Sequence, residues 1–160
     1  MYNLRKMFVM LSLGFGSGLP YILLISTTSA WLRDAGLELS LIGFFAWITF
    51  AYTVKFIWAP LVDRFSVPYF SKYGHRKSWI TLMQIIIISA LLLLSNIDPV
   101  QSFLFFCIVA GLIAFAGSFQ DIAIDAFRIE YAHISDQGNL AAAYQLGYRL
   151  AIIAATSLAL

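Results

Sequence analysis

The sequence predicts an all-α membrane protein with five transmembrane helices, and three observations carry that expectation. The 160-residue chain is 61% hydrophobic and only 11% charged, against roughly 45–50% and about 25% in ordinary soluble domains. Polar side chains this scarce cannot cover a soluble globule. The apolar residues also gather into five runs near the length, about 20 residues, at which a helix crosses the hydrocarbon core. Those runs are far longer than the roughly 10-residue alternating segments of a membrane β-barrel.

The first run covers about 7–30. Gly14 and Gly18 form a GxxxG pair that permits close helix approach, and Pro20 is expected to bend the helix. Arg5 and Lys6 precede it as in a signal peptide, yet its early glycines, Pro20 and four further runs favour a retained helix. The second run, about 40–60, is followed by the basic stretch "VDRFSVPYFSKYGHRK". The third, about 78–96, ends at "NIDPV", and the fourth, about 100–127, at "RIEYAHISDQG". The fifth, about 139–160, closes on "AATSLAL" without a polar flank, so the chain is expected to be part of a larger membrane protein. No linker divides it, and 1–160 reads as one partial bundle. Trp31, Trp58 and Trp79 fall near span ends, where amphipathic aromatics belong, while the mid-span Trp47 is expected to pack. Cys107 is the single cysteine, which excludes an intrachain disulfide.

Lysine and arginine in short loops set orientation. An inner N-terminus gives the cytoplasmic side Arg5, Lys6, Arg64, Lys72, Arg76, Lys77 and Arg128, and the outer side only Arg33. The N-terminus is therefore expected in the cytoplasm.

Three charges lie inside apolar runs: Lys55, Asp121 and Arg149. Each costs about 2.5–3.5 kcal/mol at a bilayer centre on insertion scales. At 1.5 Å per residue they sit about 12, 13 and 15 Å from the inner helix ends. One carboxylate and two cations at a common depth can compensate one another along a cavity. They can equally form a structural ion pair or, for the long cations, reach toward the headgroups. Asp125 shares a helix face with Asp121. It lies toward the partially negative C-terminal end of its helix, where an acid needs a cation. Arg128 is one turn on, and Arg64 and Arg76 are further candidates. Asp63, Arg64, Arg76, Asp125 and Arg128 could thus form a charge lock at the inner mouth, or a static clamp. His75 and His133 read as solvated loop residues, and no metal-ligand cluster, phosphate loop or dinucleotide fingerprint is present. The basic loop reads as a topology signal, with no case for nucleic-acid binding.

Several stretches together resemble the AmpG-type muropeptide permeases of the major facilitator superfamily: "LGFGSGLP", "IGFFAWITFAYTVKFIWAPLVDR", "GHRKSW", "SFQDIAIDAF" and "LGYRLAI", in order across nearly the whole chain. "KFIWAPLVDR" with the basic turn after it also resembles the superfamily's loop between its second and third helices. His75 departs from the family's arginine run, but Arg76 and Lys77 keep the charge, and little is expected of it.

The resemblance implies an inner-membrane symporter that imports anhydro-muropeptides with protons, without a cofactor or metal. It implies five helices of an incomplete N-terminal bundle, with the C-terminal half in the same or a separate chain. Such a fragment is expected to insert in membrane lipid without transporting. Asp121 is the first candidate for proton coupling and Asp125 the second. Lys55 and Arg149 are candidates to attract substrate carboxylates, with Tyr52 and Tyr148 offering rings or hydroxyls to sugars. The relatives include acetyl-coenzyme A transporters, so another anionic metabolite is an alternative. A second alternative is an enzyme. Gly117, Asp121 and Asp125 reproduce the second half of the metal-binding signature of membrane phosphatidyltransferases. The first half is missing: Phe103, Leu104, Cys107 and Ile108 occupy its register.

Overall fold

A computed structural model describes residues 4–65, 67 and 74–158, and every regular element among them is helical. Lys72 and most of the basic loop around it lie outside the described residues.

The first run forms one helical stretch. α1 (Leu4–Ile22) passes through a wider π turn at Leu23–Thr27 into α2 (Thr28–Asp34). Pro20 is buried inside α1 and cannot donate to the carbonyl one turn earlier, and the widened turn follows shortly after it. The Thr28 backbone N–H and hydroxyl both donate to the Leu23 carbonyl, the hydroxyl at 2.8 Å. The chain leaves α2 through Gly36 at φ 82°, a left-handed position that glycine fills without steric cost. There the Gly36 N–H donates to Arg33 at 3.0 Å and the Leu37 N–H to Leu32 at 3.1 Å, satisfying the last carbonyls.

The second run is broken. α3 (Leu39–Ala46), a tight turn at Trp47–Thr49, α4 (Phe50–Thr53), a second tight turn at Lys55–Ile57 and α5 (Ala59–Arg64) follow in sequence. The axis bends by 41° between Leu39–Thr53 and Lys55–Arg64. Pro60 cannot donate to Phe56, and α5 starts with this proline in its first turn. Trp47, expected to pack, is 70% exposed and meets only the Phe50 ring among the aromatic side chains of the described residues. Trp58 packs against Phe115 and Phe119.

α6 (His75–Leu94) and α7 (Phe103–Tyr131) complete the third and fourth runs, and α8 (Gln137–Leu158) the fifth. α7 lies at the centre, burying Phe106, Ile113 and Ile124, with Ala114, Gly117 and Ala123 keeping its neighbours close. Gln137 caps it, donating to the carbonyls of Arg128, Ile129 and Ala132 at 3.3, 3.2 and 3.0 Å.

Residue pairings give the direction of each helix. Gly14 faces Tyr144 and Gly18 faces Tyr148, so α1 and α8 run parallel. Lys6 meets Tyr131 while Ser17 meets Asp121, so α1 and α7 run antiparallel. Arg76 meets Glu130 and Trp79 meets Phe119, which makes α6 antiparallel to α7. The broken second run is parallel to α7, with Lys55 at Asp121 and Asp63 joined through Arg76 to Glu130. Successive runs therefore alternate in direction, as serial crossings of a bilayer require.

Among the described residues, three helices are long and apolar enough to cross: Leu4–Asp34, His75–Leu94 and Phe103–Tyr131, with the bent second run a fourth if it is one span. α8, expected as the fifth, is not among them; Gln137, Asn139, Gln145 and Arg149 reduce its apolarity. It lies along α1 in van der Waals contact. A side chain at Gly14 would overlap the Tyr144 backbone, and one at Gly147 the Leu11 backbone. The GxxxG face is thus taken up by α8, and is not free for self-association.

Candidate functional site

α7 presents Gly117, Asp121 and Asp125 along one face, as the four-residue spacing dictates. The second run sets two residues against that face. Tyr52 sits against Gly117, where any side chain would overlap its hydroxyl, and Lys55 sits one turn further along against Asp121. α1 brings Ser17 and Tyr21, and α8 brings Tyr144 and Tyr148 at the same four-residue spacing.

The two oxygens of Asp121 are held differently. Oδ1 accepts a hydrogen bond from the Ser17 hydroxyl and a longer one, 3.5 Å, from the Tyr144 hydroxyl. The single Tyr144 hydroxyl proton is shared with the Ser17 oxygen, its nearer acceptor at 3.1 Å. Oδ2 faces the Lys55 ammonium at 3.7 Å, beyond ordinary hydrogen-bond length. The Asp121 side chain is 15% exposed and that of Lys55 41%. The carboxylate is thus anchored through one oxygen, while the other meets a cation that stays accessible. Such a group can hold a charge compensated by Lys55, or take a proton on Oδ2 and release it.

Tyrosine rings surround the pair. Tyr21 meets Tyr52 edge-on at 5.0 Å and Tyr148 at 6.2 Å, and Tyr144 lies 6.5 Å from Tyr148. The Tyr52 hydroxyl is buried without a hydrogen-bond partner among the described residues. Arg149, next to Tyr148, is exposed and forms no ion pair among the described residues. Lys55 and Asp121 are therefore brought together, and Arg149 is not joined to them.

A second charged group lies at the end where Lys6 and Lys77 rest on the Tyr131 and Phe127 rings. Arg76 bridges Asp63 at 2.6 Å and Glu130 at 2.9 Å, tying α5, α6 and α7. His75, of which the sequence promised little, contacts the Val62 carbonyl at 2.7 Å, and the Trp79 indole donates to Phe65 at 2.7 Å. Together they cap the C-terminal carbonyls of α5. Asp125 pairs locally with Arg128 at 3.3 Å, and Arg64 is exposed without an ion pair among the described residues. Glu130 takes the place that sequence reasoning gave to Asp125 as partner of the basic loop, because α7 continues as helix to Tyr131. No group of three His, Cys, Asp or Glu residues is placed to hold a metal among the described residues.

Sequence reasoning missed Ser17, Tyr21, Tyr144 and Glu130. Two of them were marked by spacing: Ser17 lies on the Gly14–Gly18 face and Tyr144 one turn before Tyr148.

Over residues 6–109 the sequence matches the family described as acetyl-coenzyme A transporter 1. It is 35% identical over 152 residues to the transporter named AmpG 4 of Rickettsia conorii, covering 95% of this chain and 36% of that protein. It is 36% identical over 152 residues to the anhydromuropeptide permease of Escherichia coli K12, covering 95% of this chain and 30% of that protein. A further relative, the transporter named AmpG 3 of Rickettsia prowazekii, is 32% identical over 155 residues, covering 96% of this chain and 37% of that protein. The chain thus spans about a third of the length of these curated relatives.

Proposed function

The chain belongs to the acetyl-coenzyme A transporter 1 family, and from that premise we propose that it supplies the proton- and anion-handling part of a permease for anhydro-muropeptides in the inner membrane. The observation that carries this reading is the Lys55–Asp121 pair, set within membrane-spanning helices and ringed by tyrosines. An intramembrane ion pair on a face that remains accessible is costly for a purely structural element. A carrier of anionic sugar-peptides needs each part of it. Lys55, with Arg149 beside Tyr148, attracts peptide carboxylates, and Tyr52, Tyr148 and Tyr21 offer ring faces to sugars. Asp121 carries the coupling proton, with Asp125 second. The Arg76 bridge to Asp63 and Glu130 closes the cytoplasmic ends of the helices, with Arg64 and the Asp125–Arg128 pair at its margin. The N-terminus lies in the cytoplasm, and the opposing half of the carrier comes from the same or a separate chain. The protein acts as a transporter and not an enzyme, and needs no cofactor.

Names of the relatives favour this substrate, since one is an anhydromuropeptide permease. The family match favours a second reading, transport of an acyl-coenzyme A. Uptake into vesicles by the product of the full gene, under an imposed proton gradient, separates the two. A labelled N-acetylglucosaminyl-anhydro-N-acetylmuramyl tripeptide should accumulate above the no-gradient control, and excess acetyl-coenzyme A should not compete. Accumulation of labelled acetyl-coenzyme A under the gradient, with no tripeptide accumulation, would establish the second reading.

A further inference from the structure

Lys55 has one charge and two claims on it. Its ammonium is the cation facing Asp121 Oδ2, and its side chain is also 41% exposed, open to a ligand. At 3.7 Å the pair lacks a direct hydrogen bond, so the ammonium can turn to a nearer anion without breaking one. Asp121 would not follow, because Ser17 and Tyr144 hold Oδ1. The other charged or titratable groups near it are Asp125 on α7, Tyr52 on α4, and Tyr144 and Tyr148 on α8. None of these is a cation, and Asp125 has its own partner in Arg128.

We propose that Lys55 serves Asp121 and a ligand carboxylate in turn, so that binding the anion at Lys55 and binding a proton at Asp121 Oδ2 are one event. When the ligand carboxylate takes the ammonium, Asp121 is left as an uncompensated and largely buried carboxylate. It takes up one proton from the aqueous side on Oδ2 and becomes neutral, while the Oδ1 bonds from Ser17 and Tyr144 persist. One negative ligand charge and one proton enter together, so the net charge of the site is unchanged. Release reverses both steps. The proposal rests on the anionic-substrate reading above and adds its coupling mechanism.

Proton uptake on binding tests it directly. The product of the full gene, purified in lipid nanodiscs in weak buffer with a pH-indicator dye, is mixed with the anhydro-muropeptide tripeptide, and binding is measured separately by equilibrium dialysis. About one proton should be taken up per ligand bound, and none with the tripeptide whose carboxyls are amidated. Asp121→Asn should bind the tripeptide at least as tightly, its competitor for Lys55 being removed, with no proton uptake. Lys55→Met should bind at least tenfold more weakly, also without uptake. Tripeptide binding by the unaltered full-gene product without proton uptake would overturn the proposal while leaving the substrate reading intact. So would an Asp121→Asn variant that keeps its helical circular dichroism but loses binding. No tripeptide binding by the unaltered full-gene product would overturn the substrate reading and the proposal with it.

Discussion

Ser17 on α1 donates its hydroxyl to Asp121 on α7, and both groups lie in the interior of the helix bundle. Ser17 is 3% exposed, so no water replaces its hydroxyl easily. Ser17→Ala should therefore destabilise the protein by about 1–3 kcal/mol, the cost of leaving a charged acceptor short of a donor. Thermal unfolding in detergent checks this. Combined with Asp121→Asn, the same change should cost much less, because the charge that needs the donor is gone.

Asp121→Asn in the complete transporter should abolish proton-driven accumulation while leaving exchange of substrate down its own gradient. Unchanged proton-driven uptake would remove Asp121 from the coupling role and direct attention to Asp125, which is paired with Arg128.

Helix α8 depends on two glycines. Gly14→Leu or Gly147→Leu forces a side chain into the facing backbone, Tyr144 or Leu11. Each should cost about 1–3 kcal/mol or prevent assembly altogether. Gly43→Ala is the control, since nothing lies within 4 Å of the added carbon. Equal melting temperatures for all three variants would contradict the close α1–α8 contact.

Arg76 spans two carboxylates with one guanidinium, from Nε to Glu130 and Nη1 to Asp63. Arg76→Lys should restore only part of what Arg76→Ala loses, because an ammonium lacks the fork. Both carboxylates are more than half exposed, so each arm should contribute only about 0–1 kcal/mol, and less in high salt. A double-mutant cycle with Glu130→Gln measures one arm alone.

A reporter active only outside the membrane, fused after Lys77, should remain silent. Strong activity would reverse the assigned orientation and place the Arg76 bridge at the outer face.

The sequence by itself determined the class of the protein. Composition and run length force an α-helical membrane chain, because unpaired backbone groups are too costly in hydrocarbon. Intramembrane charges stand out there for the same reason, so Lys55 and Asp121 could be picked from the text, as could the GxxxG face of α1. Tertiary structure decided which charges meet. A 41° break in the second run comes just before Lys55, whose ammonium faces Asp121, a local event that a depth count along a straight helix does not register. Arg149 has a similar count from its helix end yet makes no such pair, because depth says nothing about rotation around α8. Ser17, Tyr144 and Glu130 became partners only once α1, α6, α7 and α8 were packed together. Their chemistry is ordinary in isolation, and their role comes from which neighbours the burial of apolar faces sets beside them.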